Sequence, residues 1–307
     1  MTLAPASSRH PVAVVGASGL LGAYLYRSFS EAGPTVGTGF EQGGGELAPL
    51  DIRDEHATRA LLAEHAPRAV VCAAAVSNVE RCETDPEWSS EINVDGTLAL
   101  ARAAAAVGAT FVFLSSEYVF DGLEGPYDED ARPRPVNEYG RQKQQVERLL
   151  PSLTAGDFVI ARVSCLYGHE RTGKNFVYQL WSALSEGREF RAPSDQIGTP
   201  TAVANAAELI RELVLQGARG IYHVAGPEPM LRSSFALLAA RELGLDVDLV
   251  RPTPTAELGL LAPRPMGAGL RTDRVRAATG RRLWPPREGI REMLAEGPIR
   301  TPTPGAV

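Results

Sequence analysis

Short apolar runs alternate along the chain with stretches of helical periodicity. Pro11-Val-Ala-Val-Val15 is a β-branched run ending at Gly16, the pattern of a strand buried on both faces. Leu20, Leu21, Leu25 and Phe29 then fall at helical spacing, and Gly33 closes the segment. A weaker strand over 34–38 and a helix over 54–65 follow, and then a strong strand over 69–73. Asp85-Pro86 reads as an N-cap with proline at the first helical position, opening a helix to about 107. Further strands are predicted over 110–114, 157–162 and 220–224. Strands alternating with helices imply βαβ units, a parallel sheet and helices on both faces. The expected fold is therefore α/β, a Rossmann-type doubly wound parallel sheet with a smaller C-terminal substrate-binding region. The boundary is placed between 1–165 and 166–307, with the later strands free to join the first sheet.

Composition narrows the function. Among 307 residues, 44% are hydrophobic and 22% charged, as in an ordinary soluble globular protein. The formal net charge of -6 provides no basic field for nucleic acid or an anionic membrane, so a small-molecule substrate is the expected partner. Three cysteines, Cys72, Cys82 and Cys165, form no CxxC or Cys/His cluster, which argues against a disulfide framework and against a metal site. No apolar run is long enough to cross a bilayer, and the first ten residues read as a loose tail. The expected location is cytoplasmic.

Candidate chemistry begins at the first strand–helix junction. In Gly16-Ala-Ser18-Gly19-Leu20-Leu21-Gly22, Gly16 permits the tight turn, Gly19 lets backbone approach a pyrophosphate, and Gly22 lets helix and strand pack closely. The helix N-terminus adds amide donors and a positive dipole end. The second strand ends in Gly37-Thr38-Gly39-Phe40-Glu41 with no acid at its tip. That removes repulsion against a 2′-phosphate, although Glu41 could instead hold the ribose 2′-hydroxyl of NAD; the balance tilts to NADP(H) over NAD(H).

Asn137-Glu-Tyr139-Gly-Arg-Gln-Lys143 places Tyr139 and Lys143 four apart on one helical face, with Asn137 able to cap the helix. A tyrosine titrates near ~10, and a neighbouring ammonium is expected to lower that value, fitting the phenol for proton transfer. Ser115 and Ser116 end the preceding strand, where a hydroxyl can steady the oxyanion as hydride arrives. Ser116, Tyr139 and Lys143 form the candidate catalytic set.

These stretches resemble the dTDP-4-dehydrorhamnose reductase family of extended short-chain dehydrogenases/reductases. The likeness rests on Gly16–Gly22, Ser115-Ser-Glu-Tyr-Val-Phe-Asp-Gly122 and Asn137–Lys143. It extends through Ala73-Ala74-Ala75, Glu91-Ile-Asn93-Val94, Ala161-Arg-Val-Ser-Cys-Leu-Tyr-Gly168, Asp195-Gln196-Ile-Gly-Thr-Pro-Thr201, Ile221–Gly226 and Arg264-Pro265. The resemblance implies hydride transfer from a reduced nicotinamide to a ketone of a nucleotide-linked deoxysugar or a related carbonyl or imine. Tyr139 would be the acid, Lys143 would tune it and orient the ribose, and Ser116 would polarise the carbonyl. Thr38, Asp51, Ile52, Ala73, Ala74, Ala75, Asn93 and Ser115 would join the glycine loop around the cofactor. Ser77, Val79, Glu117, Tyr118, Asp195, Gln196 and Thr201 would shape the substrate side. A homodimer would use the helices near 86–107 and 138–150. Val36–Phe40 and Asn93–Thr97 are also similar to the regulatory beta subunit of methionine adenosyltransferase, which implies a non-catalytic alternative as a synthetase partner.

Overall fold

The computed structural model describes residues 10–40 and 46–299, so the first nine residues, residues 41–45 with Glu41, and residues 300–307 lie outside the described residues. In chain order, the chain folds β1 (Val12–Val15), α1 (Leu20–Ala32), β2 (Thr35–Gly39), β3 (Ala48–Pro49), α2 (Glu55–His65) and β4 (Ala69–Cys72). Helices α3 (Val79–Thr84) and α4 (Pro86–Ser90) lead into a π-helical turn, Glu91–Gly96, and α5 (Thr97–Ala106). Then come β5 (Thr110–Ser116), α6 (Glu138–Leu153), β6 (Phe158–Val163), β7 (Leu166–Tyr167), α7 (Phe176–Ser185), β8 (Phe190–Pro193), β9 (Ile197–Gly198), β10 (Thr201–Ala202) and α8 (Val203–Leu215). Finally β11 (Gly220–Val224), β12 (Met230–Leu231), α9 (Arg232–Glu242), β13 (Val250–Thr253), α10 (Asp273–Thr279) and α11 (Pro286–Glu296) complete it.

Seven strands make one parallel sheet in the order β11-β6-β5-β4-β1-β2-β3. This is the Rossmann-like fold expected from the alternation, and β6 and β11 do join the first sheet. Strand periodicity decides which helices cover which face. Val12 and Val14 of β1 pack with α1 and α8, whereas Ala13 and Val15 pack with α2, α5 and α6. Buried on both sides, the strands have to be apolar throughout, which is why their runs read so clearly. Three short pairs, β7 with β10, β9 with β12 and β8 with β13, carry the C-terminal region. Its own core lies between α7, α9 and α11. Asp54 caps α2 and Asn137 caps α6 through side-chain oxygens, the latter accepting from the Gly140 amide at 2.9 Å.

The helix expected from Asp85-Pro86 is present but interrupted. Its π turn carries Asn93 inward, and Asp85 makes no capping bond to it. The strand order reverses between β1 and β4, which opens a crevice at their C-terminal ends. No helix among the described residues is long and apolar enough to cross a membrane.

Candidate active site

A cleft of about 950 Å³ runs along that crevice. One wall is the glycine loop. Gly16 has φ +89, and a Cβ there would stand 2.4 Å from the Ala74 amide nitrogen, so only glycine fits against the end of β4. At Gly22 a Cβ would meet the Gly16 carbonyl oxygen at 2.1 Å, so helix and loop touch backbone to backbone. Helix α1 begins after Gly19 with no side-chain cap and no acid in its first turn. The orphan amides of its first turn and its positive dipole end therefore face the cleft uncompensated, an environment that fits a pyrophosphate. Ser18, Gly19, Leu20, Leu21 and Gly22 all line the cleft, as do Ala73 and Ala75, while Ala74 backs the loop.

Ser116, Tyr139 and Lys143 meet on the floor. Ser116 ends β5, and its Oγ accepts from the Tyr118 amide at 3.2 Å. The Lys143 ammonium donates to the Leu114 carbonyl at 3.0 Å and lies 5.5 Å from the Tyr139 ring centroid. Tyr118 meets Tyr139 edge-on at 5.9 Å. One helical turn beyond Lys143, Glu147 takes a hydrogen bond from the Ser115 hydroxyl at 2.6 Å and two from the Arg162 guanidinium at 2.9 and 2.7 Å. Arg162 also reaches His223 Nε2 at 3.3 Å, while His223 Nδ1 faces the Arg271 carbonyl at 3.1 Å. That network assigns the imidazole proton to Nδ1, and burial with the Arg162 charge pushes the His223 pKa down to about 3.

The electrostatics differ from the sequence-based expectation. Burial drives the Tyr139 phenol above its ordinary pKa, Cys82 and Tyr118 add to the rise, and Ser116 pulls it back by hydrogen bonding. Lys143 itself is pushed down to about 8 by burial. Desolvation is the largest cause for both groups, and the ammonium donates to the Leu114 carbonyl. Glu117, buried beside Ser116, is raised to about 7 by the same cause, against hydrogen bonds from Ser164 and Cys165.

Other expected residues divide. Ser77, Val79, Glu117 and Tyr118 line the cleft. Ser115 lines it too but commits its hydroxyl to Glu147. Thr38 is fully buried beneath the glycine loop, its carbonyl accepting from the Gly16 and Ala17 amides. Ile52 is packed in the core against Gly96, and Asp51 is paired with Arg53. Asn93 is fully buried, bonding Val76 through both its side-chain oxygen and nitrogen and Gln142 at 2.8 Å. It braces the loop after β4 instead of facing the cleft. Asp195 and Gln196 tie down Thr255, and Thr201 bonds Gly226, so these three staple loops away from the cleft. Sequence reasoning missed Cys165, Arg232, Arg171 and Lys174, all of which line the cleft. Each stands in a loop or at a helix start, without a repeating pattern.

The model of the RmlD substrate binding domain matches residues 10–298. The chain belongs to that family. It is 32% identical over 289 residues to the beta subunit of methionine adenosyltransferase 2 from Xenopus laevis, covering 92% of this chain and 86% of that one. It is 35% identical over 271 residues to the dTDP-4-dehydrorhamnose reductase of Streptomyces griseus, covering 86% of each. Among solved structures, dTDP-4-dehydrorhamnose reductase from Bacillus anthracis in complex with NADP superposes with a TM-score of 0.86 at 29% identity, covering 94% of this chain and 99% of that one. The chain's relatives thus include both a reductase and a subunit of an adenosyltransferase.

Proposed function

We propose that this protein is an NAD(P)H-dependent reductase of a ketone, with a 4-keto nucleotide-linked deoxysugar as its expected substrate. The observation that carries this reading is the meeting, in one cleft, of an uncompensated helix N-terminus with Ser116, Tyr139 and Lys143. The reduced nicotinamide, when bound, supplies the hydride. The glycine loop and the first turn of α1 hold the pyrophosphate, and Lys143, anchored to the Leu114 carbonyl, holds the ribose hydroxyls. Ser116 steadies the carbonyl oxygen. Tyr139 donates its phenolic proton to that oxygen as it becomes an alcohol. NADP(H) is preferred in this reading, supported by the Thr38-Gly39 tip of β2 and by the NADP complex of the Bacillus anthracis relative.

Tyr139→Phe tests the assignment. It should retain cofactor binding and folding while slowing NADPH oxidation with the ketone about 10²–10⁴-fold, the range for a lost acid/base group. A near-full rate would refute the role given to Tyr139. The likeness to the methionine adenosyltransferase beta subunit favours a second reading, a cofactor-binding regulatory partner. Stable complex formation with a catalytic synthetase subunit, and no turnover of any ketone, would select it.

A further inference from the structure

Deep in the cleft, beside the reacting end, stands a cation the proposed chemistry does not use. Arg232 opens α9 and lines the cleft, with one guanidinium nitrogen 3.1 Å from Cys165 Sγ and its carbon 4.6 Å from the Phe176 ring centroid. The half-buried Arg264 is paired with Glu80, and the more deeply buried Arg162 with Glu147. Among the described residues Arg232 forms no such ion pair, and its side chain's only hydrogen bond is to a thiol. A guanidinium offers five donors in a planar fork, so most of them remain free to meet a ligand.

The surrounding backbone is built to keep this arrangement. Cys165 is a non-glycine residue at φ +42, a left-handed conformation that turns its thiol between Arg232 and Glu117. A Cβ at Gly198 would stand 2.6 Å from that thiol, so glycine is required to leave it room. Glu117 lies on the far side of the sulfur, 3.5 Å from it, with its other oxygen taken by Ser164. Glu117 and Tyr118 directly follow Ser116, so Arg232 belongs to the reacting end of the cleft. Phosphates have other cations available: Arg171 and Lys174 line the same cleft and are exposed.

We propose that Arg232 is a specificity-determining residue, receiving a carboxylate carried on the reacting ring of the substrate beside the carbonyl. The substrate class is then a nucleotide-linked keto-uronate or a similarly placed keto acid, in place of a neutral deoxysugar. This rests on the reductase reading for the identity of the reacting end, and deepens it.

The test titrates NADP+-loaded protein with the UDP- and dTDP-linked forms of glucuronic acid and glucose. Each pair shares its diphosphate and differs only in the ring carboxylate. A charge-assisted bidentate pair corresponds to roughly 10-fold or more tighter binding of the uronate. Arg232→Gln should bring the uronate to the level of glucose while leaving NADP+ affinity and glucose-nucleotide affinity unchanged. Arg232→Lys, which keeps the charge and loses the fork, should retain part of the preference. Equal binding of uronate and glucose by the unaltered protein overturns the proposal. So does a loss of both in Arg232→Gln, which would move Arg232 to the diphosphate, and so does binding of neither. NADPH oxidation with a panel of neutral and carboxylated ketones is measured separately. Turnover without uronate preference sinks this proposal alone; uronate preference without turnover of any ketone sinks the reductase reading alone.

Discussion

Tyr139, Lys143 and Glu147 occupy successive turns on one face of α6, and the last of them can be tested without any substrate. Glu147 and Arg162 have side chains only 5% and 2% exposed, joined by two hydrogen bonds, and Glu147 also accepts from Ser115. Glu147→Leu leaves the guanidinium dry, its remaining hydrogen bonds among the described residues going to the Glu129 carbonyl and His223, with the Phe120 ring centroid 5.0 Å away. Removing one partner of such a pair costs about 3–5 kcal/mol, because the surviving charge stays desolvated. The freed Ser115 hydroxyl places the change toward the upper end of that range. Replacing both partners, Glu147→Leu with Arg162→Met, removes both charges and should recover most of the loss, since apolar replacements of buried pairs are often neutral or better. Urea unfolding of the four proteins of this cycle gives the coupling directly. A single-mutant cost under about 1 kcal/mol, or a double mutant as unstable as the sum, would show that water reaches the pair and would refute the argument. The single mutant should also lower the Lys143 pKa further, since Glu147 is among the charges that hold it up.

Three further outcomes follow from the same geometry. Lys143 falls from 10.5 to about 8 on folding, so its ammonium is present below about 8 and lost above it. The kcat/KM for NADPH should therefore decline as pH rises through about 8, and a profile flat across that window would remove Lys143 from cofactor binding. Gly22→Ala drives a Cβ to within 2.1 Å of a backbone oxygen, so NADPH affinity and Tm should both fall in a fluorescence titration and a thermal melt, and unchanged affinity would count against the loop. Glu117 rises from 4.5 to about 7 on folding, so the native state binds the extra proton between those values and the wild-type chain loses stability as pH climbs through them. Glu117→Gln lacks that loss, so its Tm relative to wild type should increase from pH 5 to pH 8; a constant difference would contradict the burial.

The glycine loop, Asn137 cap and Tyr139/Lys143 face were legible because each depends on local spacing within one turn or one helix. Side-chain direction was not. Thr38, Ile52 and Asn93 lie close in sequence to cofactor-facing positions, yet strand alternation buries Thr38, the turn after β3 packs Ile52 against Gly96, and the π turn carries Asn93 inward. Asp195, Gln196 and Thr201 form a recognisable stretch, but their partners Thr255 and Gly226 are contacts across the fold that no local pattern encodes. Arg232 and Glu147 acquire their meaning only from such contacts, with Cys165 and with Arg162 and Ser115.

Electrostatics were the least legible of all, and they bear on the direction of the reaction. Adjacency of Tyr139 and Lys143 suggests a depressed phenol, yet burial reverses the sign. A phenol held protonated suits one direction better than the other. The oxygen formed as hydride reaches a ketone is an alkoxide, far more basic than a phenolate, so it takes the Tyr139 proton downhill even when burial has made that proton harder to lose. Oxidising an alcohol would instead require tyrosinate to accept a proton, and desolvation makes tyrosinate scarce at neutral pH. On the proposed reading, the site as arranged by its own chain favours reduction, and the ketone rather than the alcohol is the substrate to offer it first.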